Sequence, residues 1–133
     1  MKVRWMRGSL RLRVSPDEFK TLLAGGEVLE SLDAPGAGEW AVVCAVSDRT
    51  SITIIGGAVR FTIAQSEMEK LAIEEREGLY FTTDADPPFR YYIEKNFPCA
   101  HPHPPEARAM DPSMGTFPPT PAYEERKRKQ YCE

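Results

Sequence analysis

The sequence predicts an α+β fold: a duplicated ββαββ unit forming a mostly antiparallel sheet or open barrel with two short helices, followed by a proline-rich irregular tail. Three observations carry this. Apolar residues switch between a period of two and a helical spacing in an order that occurs twice. The two occurrences superpose without a gap at an offset of 49 residues. Leu, Ile and Val stop at Pro98, and eight of the 12 prolines lie from there to Pro121.

The elements follow in order. "KVRWMR" and "LRLRV" alternate around "GS" and read as a hairpin. Leu10, Leu12 and Val14 share one face, and Lys2, Arg4, Arg11 and Arg13 share the other. "SPDEFKTLLAGG" then carries the marks of a helix: Ser15 as N-cap, Pro16 at the first position, Glu18 closing a capping box, and Gly25-Gly26 as the stop. Phe19, Leu22 and Leu23 fall on one side of it. Two strands follow at "EVLESLD" and "EWAVVCAVS", separated by "APGAGE".

The same series returns as the hairpin "SITII-GG-AVRFTI", the helix "AQSEMEKLAIEE" and the strands "GLYFTTD" and "FRYYIEKNF". Gly8, Arg11, Glu18 and Leu22 coincide with Gly57, Arg60, Glu67 and Leu71, and Trp40 coincides with Phe89. Residues 1–97 are therefore read as one duplicated domain, with halves of about 1–48 and 50–97, and 98–133 as its tail. A segment without branched aliphatics cannot build a core of its own. Phe117 and Tyr123 are its expected anchors on the domain.

Composition bounds the function. A net charge of −3 gives no global argument for nucleic acid, which is not expected as a partner. The basic opening "MKVRWMRGSLRLRV" lacks the apolar core of a secretory signal, and no run is long and apolar enough to span a bilayer. Cys44, Cys99 and Cys132 are too few and too scattered for a disulfide framework, so a reducing, cytoplasmic setting is expected. Serine-hydrolase, zinc-protease, phosphate-loop and dinucleotide motifs are absent, and both histidines lie in the tail. Cys44 reads as a buried strand thiol.

Three constellations could carry chemistry. The first is the basic strand face, with Lys2, Arg4, Arg11, Arg13 and, through the repeat, Arg60; guanidinium forks suit phosphate or carboxylate. Its bland counterpart is the polar face of a half-buried sheet. The second is the pair Glu18 and Glu67, retained in both halves although Ala64 replaces the capping serine in the second; pairing with Arg11 or Arg60 is the structural option. The third is Cys99, His101 and His103, with Cys132 in reserve, whose ligand types suit zinc or copper but whose spacing fits no zinc finger. A loop without metal is the preferred reading there.

"RGSLRLRVSPDEF", "IEKNFPC" and "TFPPTP" together resemble a family of small bacterial proteins of uncharacterised function. The resemblance spans essentially the whole chain and implies no activity. It implies that "IEKNFPC" and "TFPPTP" belong together, the tail folding back on the last strand. Where the family usually carries acidic residues before the Phe-Pro motif, this chain has "AHPHPPEARAMDPSMG", so its histidines are its own.

The expectation is a binding or accessory protein, without cofactor or catalytic machinery, that contacts a partner protein or an anionic small molecule. The expected ligand contacts are Arg4, Arg11, Arg13, Arg60 and Glu67. The runner-up is a phosphate-handling enzyme of the triphosphate-tunnel type, which requires at least three carboxylates in one cavity. Metal binding through Cys99, His101 and His103 is the third reading.

Overall fold

The computed structural model describes residues 1–98 and 115–131. In chain order they form β1 (Lys2–Met6), β2 (Ser9–Val14), α1 (Pro16–Leu23), β3 (Glu27–Ala34), β4 (Gly38–Ser47), β5 (Ser51–Ile55), β6 (Ala58–Ala64), α2 (Gln65–Leu71), β7 (Gly78–Thr82), β8 (Arg90–Lys95) and α3 (Pro121–Tyr131). Both ββαββ series are present. The first hairpin turn lies one residue earlier than the sequence suggests: Met6 pairs with Ser9, leaving Arg7 and Gly8 as the turn, with Gly8 at φ 76°. In the second turn Gly56 and Gly57 both have positive φ, which glycine adopts without steric cost.

The strands divide into two four-stranded sheets, ordered β1-β2-β8-β7 and β3-β4-β6-β5. Each sheet is a composite. A hairpin from one half lies beside the strand pair from the other, joined through the parallel contacts β2–β8 and β4–β6. The remaining neighbours are antiparallel. The duplication is visible in the register: Leu10 pairs with Tyr91, and the equivalent residues, Val59 and Val42, pair in the other sheet. Among the described residues the sheets do not close into a barrel, because each ends in two unpaired edges, β1 and β7 in one and β3 and β5 in the other.

One apolar cluster joins both sheets and the first two helices. Leu10, Leu12, Val14 and Ile93 of the first sheet and Val42, Val59, Phe61 and Ile63 of the second are fully buried. Phe61 meets Tyr91 and Phe81 across the gap, with ring centroids 5.1 and 6.3 Å apart. Phe19 and Leu22 from α1, and Met68 and Leu71 from α2, complete the cluster. Burying a side chain of this size contributes about 1.5–3 kcal/mol, so this shared core is the principal tie between the composite sheets.

The helix starts differ as the sequence suggests. Ser15 Oγ accepts from the Glu18 N–H at 3.3 Å and Glu18 Oε1 accepts from the Ser15 N–H at 3.0 Å, a complete capping box. Ala64 offers α2 no side-chain cap.

The tail is not irregular throughout: it ends in α3, an 11-residue helix. Pro121 is the last proline of the chain and occupies the first helical position, where its missing N–H costs nothing. Thr120 Oγ1 accepts from the Tyr123 N–H at 3.2 Å, and the residues that follow are mostly good helix formers.

Before this helix the chain docks on the end of β8. The Phe117 N–H donates to Asn96 O, and Asn96 Nδ2 donates to Gly115 O. Phe117 packs edge-on against Phe19, and Tyr123 lies 4.6 Å from Phe97, centroid to centroid. "IEKNFPC" and "TFPPTP" are therefore in contact, and both expected anchors are used. Among the described residues, no helix is long and apolar enough to cross a membrane.

Candidate functional site

Strand alternation and register assemble the site on the outer face of the first sheet. Arg4 and Arg11 face one another across β1–β2, as do Lys2 and Arg13. β8 continues the rows: Tyr92 lies beside Arg11 and Glu94 beside Arg13. On β7, Tyr80 stands next to Tyr92. Four of the expected basic residues thus share one surface.

Glu94 is the carboxylate they meet. Its two oxygens lie 3.3 Å from Arg11 Nε and 3.7 Å from Arg13 Nε. The shorter contact is an ion pair without hydrogen-bond alignment, because Arg11 Nε is shielded from solvent and makes no hydrogen bond. The Arg11 guanidinium also lies over the Tyr92 ring, 5.5 Å from its centroid.

This face and α3 enclose a cleft of about 290 Å³. Arg11, Arg13 and Glu94 line the sheet side, with Tyr80. Tyr123, Arg126 and Lys127 line the helix side, and Phe97, Lys95 and Glu77 complete the lining.

The cations are held differently. Lys95 Nζ donates to the carbonyls of Ile73 and Glu74 just beyond α2, at 2.9 and 3.4 Å; burial lowers its pKa despite the nearby charges of Glu74 and Glu75. Arg126 pairs with Glu77, and that hydrogen bond raises its pKa. The ammonium of Lys127 lies 5.5 Å from the Tyr123 ring centroid. Burial, then the charges of Glu94 and Glu77, raise the pKa of Tyr80, so its hydroxyl stays protonated at neutral pH. A second hollow of about 240 Å³ over β1 and β2 is lined by Lys2, Val3, Arg4, Arg11 and Arg13, with no carboxylate among the described residues.

Arg60 does not join this surface. It projects from the second sheet, where its Nη1 lies 2.9 Å from Glu27 Oε1. The reason is topological: the two hairpins are distributed to different sheets, so the repeated arginine appears once in each. Glu67 is also elsewhere, on α2, paired with Lys70 at 2.8 Å.

Glu18 is engaged by the Ser15 backbone and the Met1 ammonium. Burial raises the Glu18 pKa, but these partners together outweigh it and leave the pKa lowered. Neither glutamate pairs with Arg11 or Arg60, whose ion-pair partners are Glu94 and Glu27.

Cys99, His101, His103 and Cys132 lie outside the described residues. Among the described residues, no group of three or more His, Cys, Asp or Glu side chains is placed to hold a metal ion. Cys44 is fully buried, and burial, with a smaller contribution from the charge of Glu18, pushes its thiol up to about 12. Among the described residues the carboxylates of the cleft number two, Glu77 and Glu94, and both are paired with arginines. The three-carboxylate condition of a tunnel-type phosphohydrolase therefore finds no support there.

Sequence reasoning missed Tyr80, Tyr92, Glu77 and Arg126 as parts of the site. The alternation in "RYYIEK" places Tyr92 and Glu94 on one face. Their meeting with Arg11 and Arg13 depends on the parallel β2–β8 pairing, which no local pattern announces.

The chain belongs to a family of unknown function, DUF7009, whose model matches residues 1–112. The match takes in both sheets, α1 and α2, and ends before α3. A comparison with the curated proteins finds no match.

Proposed function

We propose that this is a small binding protein, without a catalytic step of its own, that takes an anionic small molecule into the cleft between the first sheet and α3. The observation that carries the reading is the charge imbalance around one hollow: among the described residues Arg11, Arg13, Arg126 and Lys127 line it against two carboxylates, Glu77 and Glu94, while the Lys95 ammonium is held by the Ile73 and Glu74 carbonyls. Arg11 and Arg13 stand two residues apart on one strand and project from the same face. Such forks hold phosphate or carboxylate bidentately. Glu94 offsets one of these two charges, and Arg126 and Lys127 approach the same hollow from the helix. The setting we propose is reducing and cytoplasmic, which suits the free, buried thiol of Cys44.

Thermal unfolding with pyrophosphate tests the reading. A ligand present at 100 times its Kd adds about 2.7 kcal/mol of stability. The Tm of the wild type should therefore rise by several degrees, and that of Arg13→Ala by far less. Arg60→Ala, altered on the other sheet, should respond like the wild type. An unchanged wild-type Tm across millimolar pyrophosphate would refute the proposal.

A further inference from the structure

Arg11 borders a further hollow on the side of Tyr80 away from α3. It measures about 480 Å³ and is lined by Arg11, Tyr80, Phe81, Thr82, Arg90 and Tyr92, with no carboxylate among the described residues. Tyr80 is 56% exposed, and Tyr92 beside it on the same face is half-buried. The Tyr80 and Tyr92 rings meet at 60° with centroids 5.4 Å apart, so they form an angled aromatic wall. Arginines stand on either side of it, Arg11 within the cationic cleft and Arg90 beyond.

Building on the anion-binding reading, we infer that this hollow is a ring subsite and that the ligand is a nucleoside phosphate: a planar base lies against Tyr80 and Tyr92 while its phosphates lie against Arg11 and Arg13. The two hollows share Arg11 and Tyr80, so one molecule with a short linker between ring and phosphate spans them. Their sizes fall within the roughly 300–1,000 Å³ range of small-molecule sites when taken together. The exposed Tyr80 ring, backed by the half-buried Tyr92 and set between guanidinium groups, suits a base better than an aliphatic group. Stacking on an aromatic ring is tolerant of base identity, and arginines beside the ring favour the adjoining phosphate. Among the described residues, nothing acidic lines the ring hollow to repel that phosphate as it enters.

The test compares ADP, GDP, CDP and UDP with pyrophosphate by isothermal titration on the full chain, for the wild type, Tyr80→Ala and Tyr80→Phe. Base stacking is worth about 1–3 kcal/mol by alanine substitution, which corresponds to about five- to 150-fold in affinity. The wild type should bind at least one nucleoside diphosphate at least about fivefold tighter than pyrophosphate. Tyr80→Ala should abolish that margin, costing the nucleotide at least about fivefold more affinity than it costs pyrophosphate, and Tyr80→Phe should keep it. Circular dichroism confirms that each variant is folded. Pyrophosphate binding with no nucleotide tighter overturns the ring subsite and leaves the anion cleft standing. An equal loss for both ligands in folded Tyr80→Ala also overturns it, since Tyr80 would then serve the anion cleft. Failure of every ligand to bind the wild type overturns both readings.

Discussion

Glu94→Gln should tighten anion binding. In the absence of ligand the Glu94 carboxylate is the counter-ion of Arg11 and Arg13, at 3.3 and 3.7 Å from their Nε atoms. An anion taken up by the same two guanidinium groups comes within about 6 Å of that carboxylate. At that distance two unit charges repel by about 0.7 kcal/mol in water and about 1.4 kcal/mol at an effective dielectric of about 40. The intermediate dielectric is appropriate because Arg11 and Arg13 side chains are 31% and 45% exposed. Removing the charge should therefore raise pyrophosphate affinity about three- to tenfold.

The stability cost is small, since partly exposed ion pairs contribute about 0–1 kcal/mol each. Isothermal titration at low and high salt measures the effect, with the gain shrinking as salt screens the charges. Glu67→Gln, on α2 and paired with Lys70, is the control and should change nothing. An unchanged or weakened affinity in Glu94→Gln would refute the reasoning. The first result would place the anion away from Glu94, and the second would make Glu94 a positioning residue for the arginines.

Other consequences concern the fold. Ser15→Ala removes a complete capping box and should cost about 1 kcal/mol, whereas Ala64→Ser supplies α2 with the missing cap and should add about 0.5–1 kcal/mol; urea titrations read both. A fragment of residues 1–48 should be unfolded by circular dichroism, because β2 and β4 both lose their parallel partners; mixing it with 49–133 should restore strand signal. With Cys99 and Cys132 replaced by serine, Cys44 should resist thiol reagents at pH 8 until urea unfolds the chain. Its thiol is raised from 9.0 to about 12, so above about pH 9 the unfolded state loses a proton that the native state keeps. Stability therefore falls as pH rises through that window, by up to about 1.4 kcal/mol per unit, and Cys44→Ala should remove that slope.

Local features were the legible ones. "LRLRV" placed Leu10, Leu12 and Val14 inward and Arg11 and Arg13 outward because strand alternation needs no partner to be read. Ser15, Pro16 and Glu18 marked the start of α1 for the same reason. The 49-residue offset captured the duplication, and the β2–β8 and β4–β6 registers obey it. It could not say which hairpin joins which strand pair, since that choice is made by the shared core around Phe61, Leu10 and Ile93. That one topological fact separates Arg60 from Arg11 and brings Glu94 to Arg11 and Arg13. The final helix was obscured by the density of prolines before it, although Thr120-Pro121 followed by a proline-free run is a helix start.

The most direct measurement is an amide chemical-shift map of the ¹⁵N-labelled full chain titrated with pyrophosphate. Binding in the proposed cleft should move the resonances of Arg11, Arg13 and Glu94 on the sheet together with those of Tyr123 to Lys127 on α3, and leave Arg60 and Glu27 in place. Shifts centred on the Arg60 face, or none at saturating pyrophosphate, would contradict it.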